Sequence, residues 1–224
     1  MFDPRYWMFA LPGLLLAVVA TWIVKSTFAR YSRVRASSGL TGAQAARRLL
    51  DSQGLFQVSI ERAQGFLSDH YDPAHAVLRL SRDVHDSASL SAIGVACHEA
   101  GHALQHAKRY APLALRTQLV PVTQIGSHLA FPIILAGLFF SAPGLVNIGI
   151  LLFIGAVVFT LVTLPVEWNA SARAKQLMVQ AGIVLPQESA MAGAVLNAAF
   201  LTYVAAAVSA ILQLLYYLSL ARRR

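Results

Sequence analysis

The sequence predicts a mainly α membrane protein with a small β component (α+β): about four transmembrane helices, with a small β-sheet and an HExxH helix packed at the cytosolic face. Three observations carry that prediction. Of 224 residues, 57% are hydrophobic and 12% charged, with a mean hydropathy of +0.58, too apolar for an ordinary soluble domain. The apolar residues gather in four stretches long enough to cross a bilayer. Between the first two lies Val95-Ala96-Cys97-His98-Glu99-Ala100-Gly101-His102-Ala103-Leu104, a helical pattern that carries ionisable groups on an apolar background.

Taken in order, the first span runs from about Trp7 to Val24. It has no small-residue cleavage site and is followed by Lys25, Arg30, Arg33 and Arg35, so it reads as an anchor and not a removable signal. The basic strip at 25–38 either faces anionic headgroups or simply sets topology. Thr41 then caps a helix with Gln44 three residues on; Ala45, Ala46, Leu49 and Leu50 form its apolar stripe and Gly54 ends it. Phe56–Arg62 alternates apolar and polar residues as a half-buried strand does. Residues 65–68 and 76–81 flank Asp72-Pro73 and read as a β-hairpin. Val77–Leu80 is either an exposed edge that receives substrate as an added strand or part of a structural cover for the next helix, expected at about 87–107.

That helix is too short to span a membrane, with only about 13 mostly apolar residues around its ionisable groups. It belongs in a cytosolic layer close to the membrane face. From Pro112 to Thr123 the chain is amphipathic and feeds a second span near 125–141, where Pro132 introduces a kink. Ser141-Ala142-Pro143-Gly144 reads as a turn before a third span at 145–165. The helix continues past Pro165 to Gly182, and Pro186 opens the last helix, whose apolar part at about 198–220 is the fourth span. The expected segments are an N-terminal anchor (1–24), a cytosolic region with the HExxH helix (25–122), a transmembrane hairpin (123–165), a cytosolic helix that carries Glu167 (166–197) and a C-terminal transmembrane helix (198–224).

The net charge is +8, but its distribution points to topology. Fourteen of the 18 Lys and Arg lie in residues 25–122 and 166–197, two stretches that share a side because two spans separate them. The positive-inside rule puts that side in the cytosol, although Arg222–Arg224 then fall outside against the rule. Nucleic acid is excluded as a partner because no basic patch is interleaved with aromatic residues. A channel or transporter is disfavoured by spans almost free of charge. The single Cys97 excludes an intramolecular disulfide and reads as small-residue packing.

His98 and His102, four apart on a helix, point at one ion from adjacent turns. Glu99 lies about 100° round from His98, placed to reach a water at that ion as a general base. A chain with 7 His and 4 Glu produces this HExxH pattern by chance only about 0.004 times. Gly94 and Gly101 cost the helix about 1 kcal/mol each, which close approach by a strand or substrate would explain. A catalytic zinc needs a third protein ligand. His106 lies about 80° round from His98 and suits the role poorly. Glu167 suits it better, being a carboxylate at the cytosolic end of a span that can be brought over both imidazoles; the alternative is a surface pair with Arg173. Ser171, one turn further, can hydrogen-bond a ligand's second nitrogen. His70, Tyr71 and His128 are candidates for an oxyanion or substrate contact.

Lys25-Ser26-Thr27-Phe28, Gly39-Leu40-Thr41-Gly42, Leu67-Ser68-Asp69-His70-Tyr71-Asp72-Pro73, the HEAGH core at 98–102 and Leu164-Pro165-Val166-Glu167-Trp168-Asn169-Ala170-Ser171 carry a resemblance over nearly the whole length. The chain resembles the YugP-type membrane zinc metallopeptidases, a neutral zinc peptidase family. More distantly it is similar to membrane gluzincins of the HtpX and CAAX-prenyl-protease type, whose second motif is ExxxD. The resemblance implies one Zn²⁺ held by His98, His102 and Glu167, with Glu99 as general base. Ser171 stands where the wider group has Asp. It implies a peptidase, with protein or peptide substrates as a class, and does not supply the substrate itself; the expected location is a bacterial inner (plasma) membrane, multi-pass, with the charge distribution placing the site on the cytosolic side. The expected function is a membrane-embedded zinc metalloendopeptidase acting on membrane or membrane-proximal proteins. The rival from another class is a non-catalytic scaffold or assembly factor that zinc merely staples together.

Overall fold

The computed structural model describes residues 4–65 and 68–222. Among these, helices α1 (Arg5–Tyr31), α2 (Gly42–Ser52), α3 (Arg82–His85), α4 (Leu90–Ala107), α5 (Ala111–Phe139), α6 (Pro143–Gln180) and α7 (Pro186–Ala221) accompany strands β1 (Ser59–Ala63), β2 (His70–Asp72) and β3 (Val77–Ser81). Helices α1, α5, α6 and α7 are long and apolar enough to cross a membrane. Leu14, Leu15, Val18, Phe139, Phe140 and Leu151 are each more than half exposed. Apolar surface on this scale calls for an apolar surround, which lipid supplies. The expected mainly α membrane fold with a small sheet is the fold observed.

The chain forms two compact units, the first comprising Met1–Thr21, Ala111–Pro165 and Leu201–Arg224. Its helices approach closely through small residues. A Cβ on Gly13 would stand 2.7 Å from Ser209 Oγ, and one on Gly149 would stand 2.9 Å from the Ala130 carbonyl, as expected where apolar burial gives helices no preference for each other over lipid. Ile134, Val146, Ile150 and Tyr217 form its buried cluster. Helix α5 runs unbroken through Pro121 and Pro132, so the amphipathic stretch and the second span are one helix. The turn before α6 falls where Ser141 takes φ 51°. The terminal Arg223 and Arg224 lie outside the described residues.

The second unit comprises Trp22–Tyr110 and Val166–Phe200. Thr41 and Gln44 form the expected capping box at the start of α2. The helix buries Ala45, Ala46, Leu49 and Leu50 in one core with Leu78, Leu80, Leu90, Ile93, Leu104 and Met178. Helix α6 continues past Pro165 to Gln180 and is closed by Gly182 (φ 62°), after which Ile183 N–H bonds the Met178 carbonyl. At the start of α7, Glu188 accepts from the Leu185 N–H and from both the N–H and the hydroxyl of Ser37.

The sheet departs from expectation in three ways. Its order is β1-β3-β2, with β1 parallel and β2 antiparallel to β3. Val77–Leu80 is therefore the central strand and not an edge; both of its backbone rims are paired, and it cannot accept an added strand there. Among the described residues the strand paired antiparallel with β3 is His70–Asp72, later than the expected 65–68. Gly65 takes φ 102°, and Asp69 turns its carboxylate onto the Ser81 N–H and hydroxyl; Phe66 and Leu67 of that expected strand lie outside the described residues. Strand β1 begins at Ser59, because Leu55 is pulled into the core while Phe56 is exposed in the preceding turn.

Candidate metal centre

Ser89 caps α4 by accepting from the Ala92 N–H at 3.3 Å. The helix it opens is buried on nearly all sides; of residues 90–105 only Val95 and His98 are more than marginally exposed. Such a helix must be apolar all round except where polar groups are partnered. The two glycines have a concrete cause, though not the expected strand or substrate. A Cβ on Gly101 would lie 2.7 Å from the Ala170 carbonyl oxygen of α6, and one on Gly94 would lie 3.2 Å from the Ala192 carbonyl oxygen of α7. Neighbouring helix backbones occupy the space.

That approach brings Glu167 onto the two imidazoles. Its Oε2 lies 3.2 Å from His98 Nε2 and 3.6 Å from His102 Nε2. One ligand atom from each of the three residues falls within 4.8 Å of the others, and the two rings stand nearly perpendicular at 85°. Glu167 is 2% exposed and His102 8%. Two imidazole nitrogens and one carboxylate oxygen form a donor set that suits zinc, with three protein ligands leaving a position open. Arg173, the alternative partner for Glu167, donates to Asn169 Oδ1 at 2.7 Å. Burial works against protonating His102, but Glu167 and Glu99 more than offset it, so its pKa is raised. Asp69, also coupled to Glu99, is raised chiefly by burial.

Each imidazole has a partner on its other nitrogen. Ser171 Oγ lies 3.1 Å from His98 Nδ1, and Gln105 Oε1 lies 3.0 Å from His102 Nδ1. The residues missed in the sequence are Gln105 and Asn169. The available signal was a glutamine three residues beyond His102 on a largely apolar helix. Of the remaining candidates, Tyr71 directs its hydroxyl to His106 Nδ1 at 2.9 Å. His70 is exposed, with Nδ1 2.8 Å from the Ser68 carbonyl. His128 lies on α5 in the other unit, with Nδ1 against the Gln124 carbonyl. Cys97 is fully buried and its thiol pKa is pushed up by that burial, consistent with packing.

Residues 6–222 match the protein family described as "Putative neutral zinc metallopeptidase". The chain is 48% identical over 205 residues to a Bacillus subtilis (strain 168) protein named "Putative membrane protease YugP", covering 92% of this chain and 91% of that protein. No solved structure matches it. With a family match over almost its full length, and three side chains gathered that could hold one ion, the chain belongs to the neutral zinc metallopeptidase family.

Proposed function

We propose that the protein is a membrane-embedded zinc metalloendopeptidase of gluzincin type, hydrolysing peptide bonds of membrane or membrane-proximal proteins. The observation that carries this reading is the convergence of His98, His102 and Glu167, with Glu99 adjacent in sequence to one of them. His98 and His102 would hold the ion by their imidazoles, with Glu167 as the third ligand. When bound, zinc lowers the pKa of water and polarises a carbonyl. Glu99 takes the proton of the attacking water and returns it to the leaving nitrogen. Ser171 holds His98 by its second nitrogen, the work a carboxylate does in the wider group. The clustering of Lys and Arg supports a site on the cytosolic side of a bacterial inner membrane.

The test is metal content and cleavage of an unfolded membrane protein by the detergent-purified chain. Glu99→Gln is expected to keep one zinc per chain and to lose cleavage by 10²-fold or more, whereas His102→Ala loses the metal. A Glu99→Gln protein that cleaves at the normal rate would refute the general-base role, and full function of that variant in cells would favour the zinc-stapled scaffold instead.

A further inference from the structure

We infer that Gln105 is a positioning residue for the metal site. Together with Asn169 it fixes the tautomer of His102, so that Nε2 presents its lone pair to the ion. The inference rests on the zinc-site reading above and extends it to two residues outside the ligand set.

The geometry leaves the network one arrangement of donors. The Val166 carbonyl can only accept, and Gln105 Nε2 lies 2.8 Å from it, so the amide nitrogen of Gln105 must face α6. The Arg173 guanidinium can only donate, and its Nε reaches Asn169 Oδ1, so the oxygen of Asn169 faces Arg173. The same oxygen accepts the second amide hydrogen of Gln105 at 3.0 Å. With both hydrogens of Gln105 committed, its Oε1 is the atom left facing His102, 3.0 Å from Nδ1. An acceptor at that point requires Nδ1 to carry a hydrogen and to donate it, which frees Nε2 on the side of Glu167. Gln105 is completely buried, so water cannot substitute for any of these bonds. The two imidazoles are held differently. Ser171 can donate or accept toward His98, whereas His102 has its tautomer set by the backbone of α6, acting through Gln105.

Two variants separate positioning from simple helix docking. Gln105→Met keeps length and helix propensity but has no acceptor for His102. Gln105→Glu keeps the acceptor but turns a carboxylate oxygen toward the Val166 and Asn169 oxygens, and so weakens docking. Zn²⁺ affinity is measured by chelator competition on the detergent-purified full chain, alongside the melting temperature of the metal-free form. Gln105→Met is expected to bind Zn²⁺ 10–100-fold more weakly. Gln105→Glu is expected to bind within a few-fold of the unmutated protein although it melts lower. Affinities that simply follow the melting temperatures, or unchanged affinity in Gln105→Met, would overturn the inference. An unmutated chain that binds no Zn²⁺ at all would instead overturn the zinc-site reading. If neither variant folds, the unmutated zinc-loaded protein still decides. Its His102 Nδ1 hydrogen should give a slowly exchanging imidazole N–H resonance, and exchange as fast as that of an exposed histidine would refute the bond to Gln105.

Discussion

Replacing Gly101 by Ala sets two known magnitudes against each other. Helix propensity alone favours the change by about 1 kcal/mol. The structure opposes it, because the new Cβ would stand 2.7 Å from the Ala170 carbonyl oxygen and 3.3 Å from both its carbonyl carbon and its Cα. These are backbone atoms of α6, so no side chain can swing aside. Restoring ordinary contact at 3.4 Å requires about 0.7 Å of separation between the helices. Overpacking of this kind costs about 1–3 kcal/mol, so the net effect is a loss of up to about 2 kcal/mol. Metal affinity is the more sensitive readout. Ala170 is three residues from Glu167 on the same helix, and ligand distances tolerate shifts of only about 0.2 Å. A Zn²⁺ affinity at least tenfold weaker is expected, equivalent to about 1.4 kcal/mol. The assay is chelator competition with a thermal melt of the metal-free protein, and Gly94→Ala is the internal comparison. Its Cβ meets the Ala192 carbonyl oxygen at 3.2 Å, a gap that closes with a few tenths of an ångström of movement and involves no metal ligand. If Gly101→Ala melts higher and binds Zn²⁺ normally, the close approach of α4 and α6 does not set the site.

Two further predictions concern groups away from the ion. Asp72 is hydrogen-bonded by Arg79 and then by His75, which hold its carboxyl well below the usual carboxylate range. A depressed folded-state pKa stabilises the β2–β3 turn above about pH 4, the ordinary value for the unfolded chain, and the contribution is lost as pH falls through the folded value. Amide exchange at Ala74 and His75 should therefore accelerate in acid more steeply in the unmutated protein than in Asp72→Asn, and matching pH profiles would contradict this. Cys97 is fully buried with a raised thiol pKa, so a maleimide should leave the folded protein unlabelled and label it fully once denatured; rapid labelling of the folded protein would show that α4 is open on that face.

Features encoded within a few residues were legible in the sequence. The Thr41 and Gln44 capping box, the four apolar stretches, the turn at 141–144 and the helix end at Gly182 all rest on local spacing and on residues with restricted backbone preferences. The sheet order was not legible. Whether Val77–Leu80 lies at an edge or in the centre depends on where β1 pairs, and the sequence of β3 carries no record of a partner that docks in parallel from the far side of the hairpin. Gln105 was overlooked for a similar reason. On its own helix it is an unremarked polar residue near the C-terminal end, and only the arrival of Val166 and Asn169 gives its amide three partners. Gly101 was recognised as a site of close approach, but the approaching group, a helix carbonyl 69 positions along the chain, could not be named.

These non-local contacts together explain why an HExxH helix and a glutamate more than sixty residues away form one site. Along α4 the contacts run His98, Gly101, Gln105; along α6 they run in the opposite sense, with Ser171 at His98, Ala170 at Gly101, and Asn169 and Val166 at Gln105. The two helices are therefore antiparallel in this segment, held by a hydrogen bond at each end and a glycine-cleared backbone contact between. Sliding α6 by one residue rotates its side chains by about 100°. That would withdraw Ser171 from His98, place a different carbonyl against Gln105 and turn Glu167 away from both imidazoles. The register is thus set at three points, two of which, at Gly101 and Gln105, involve no residue of the His98, His102 and Glu167 set, and the position of Glu167 follows from it. Substitutions at Gly101 and Gln105 disturb that packing, and should therefore show in metal affinity as well as in stability.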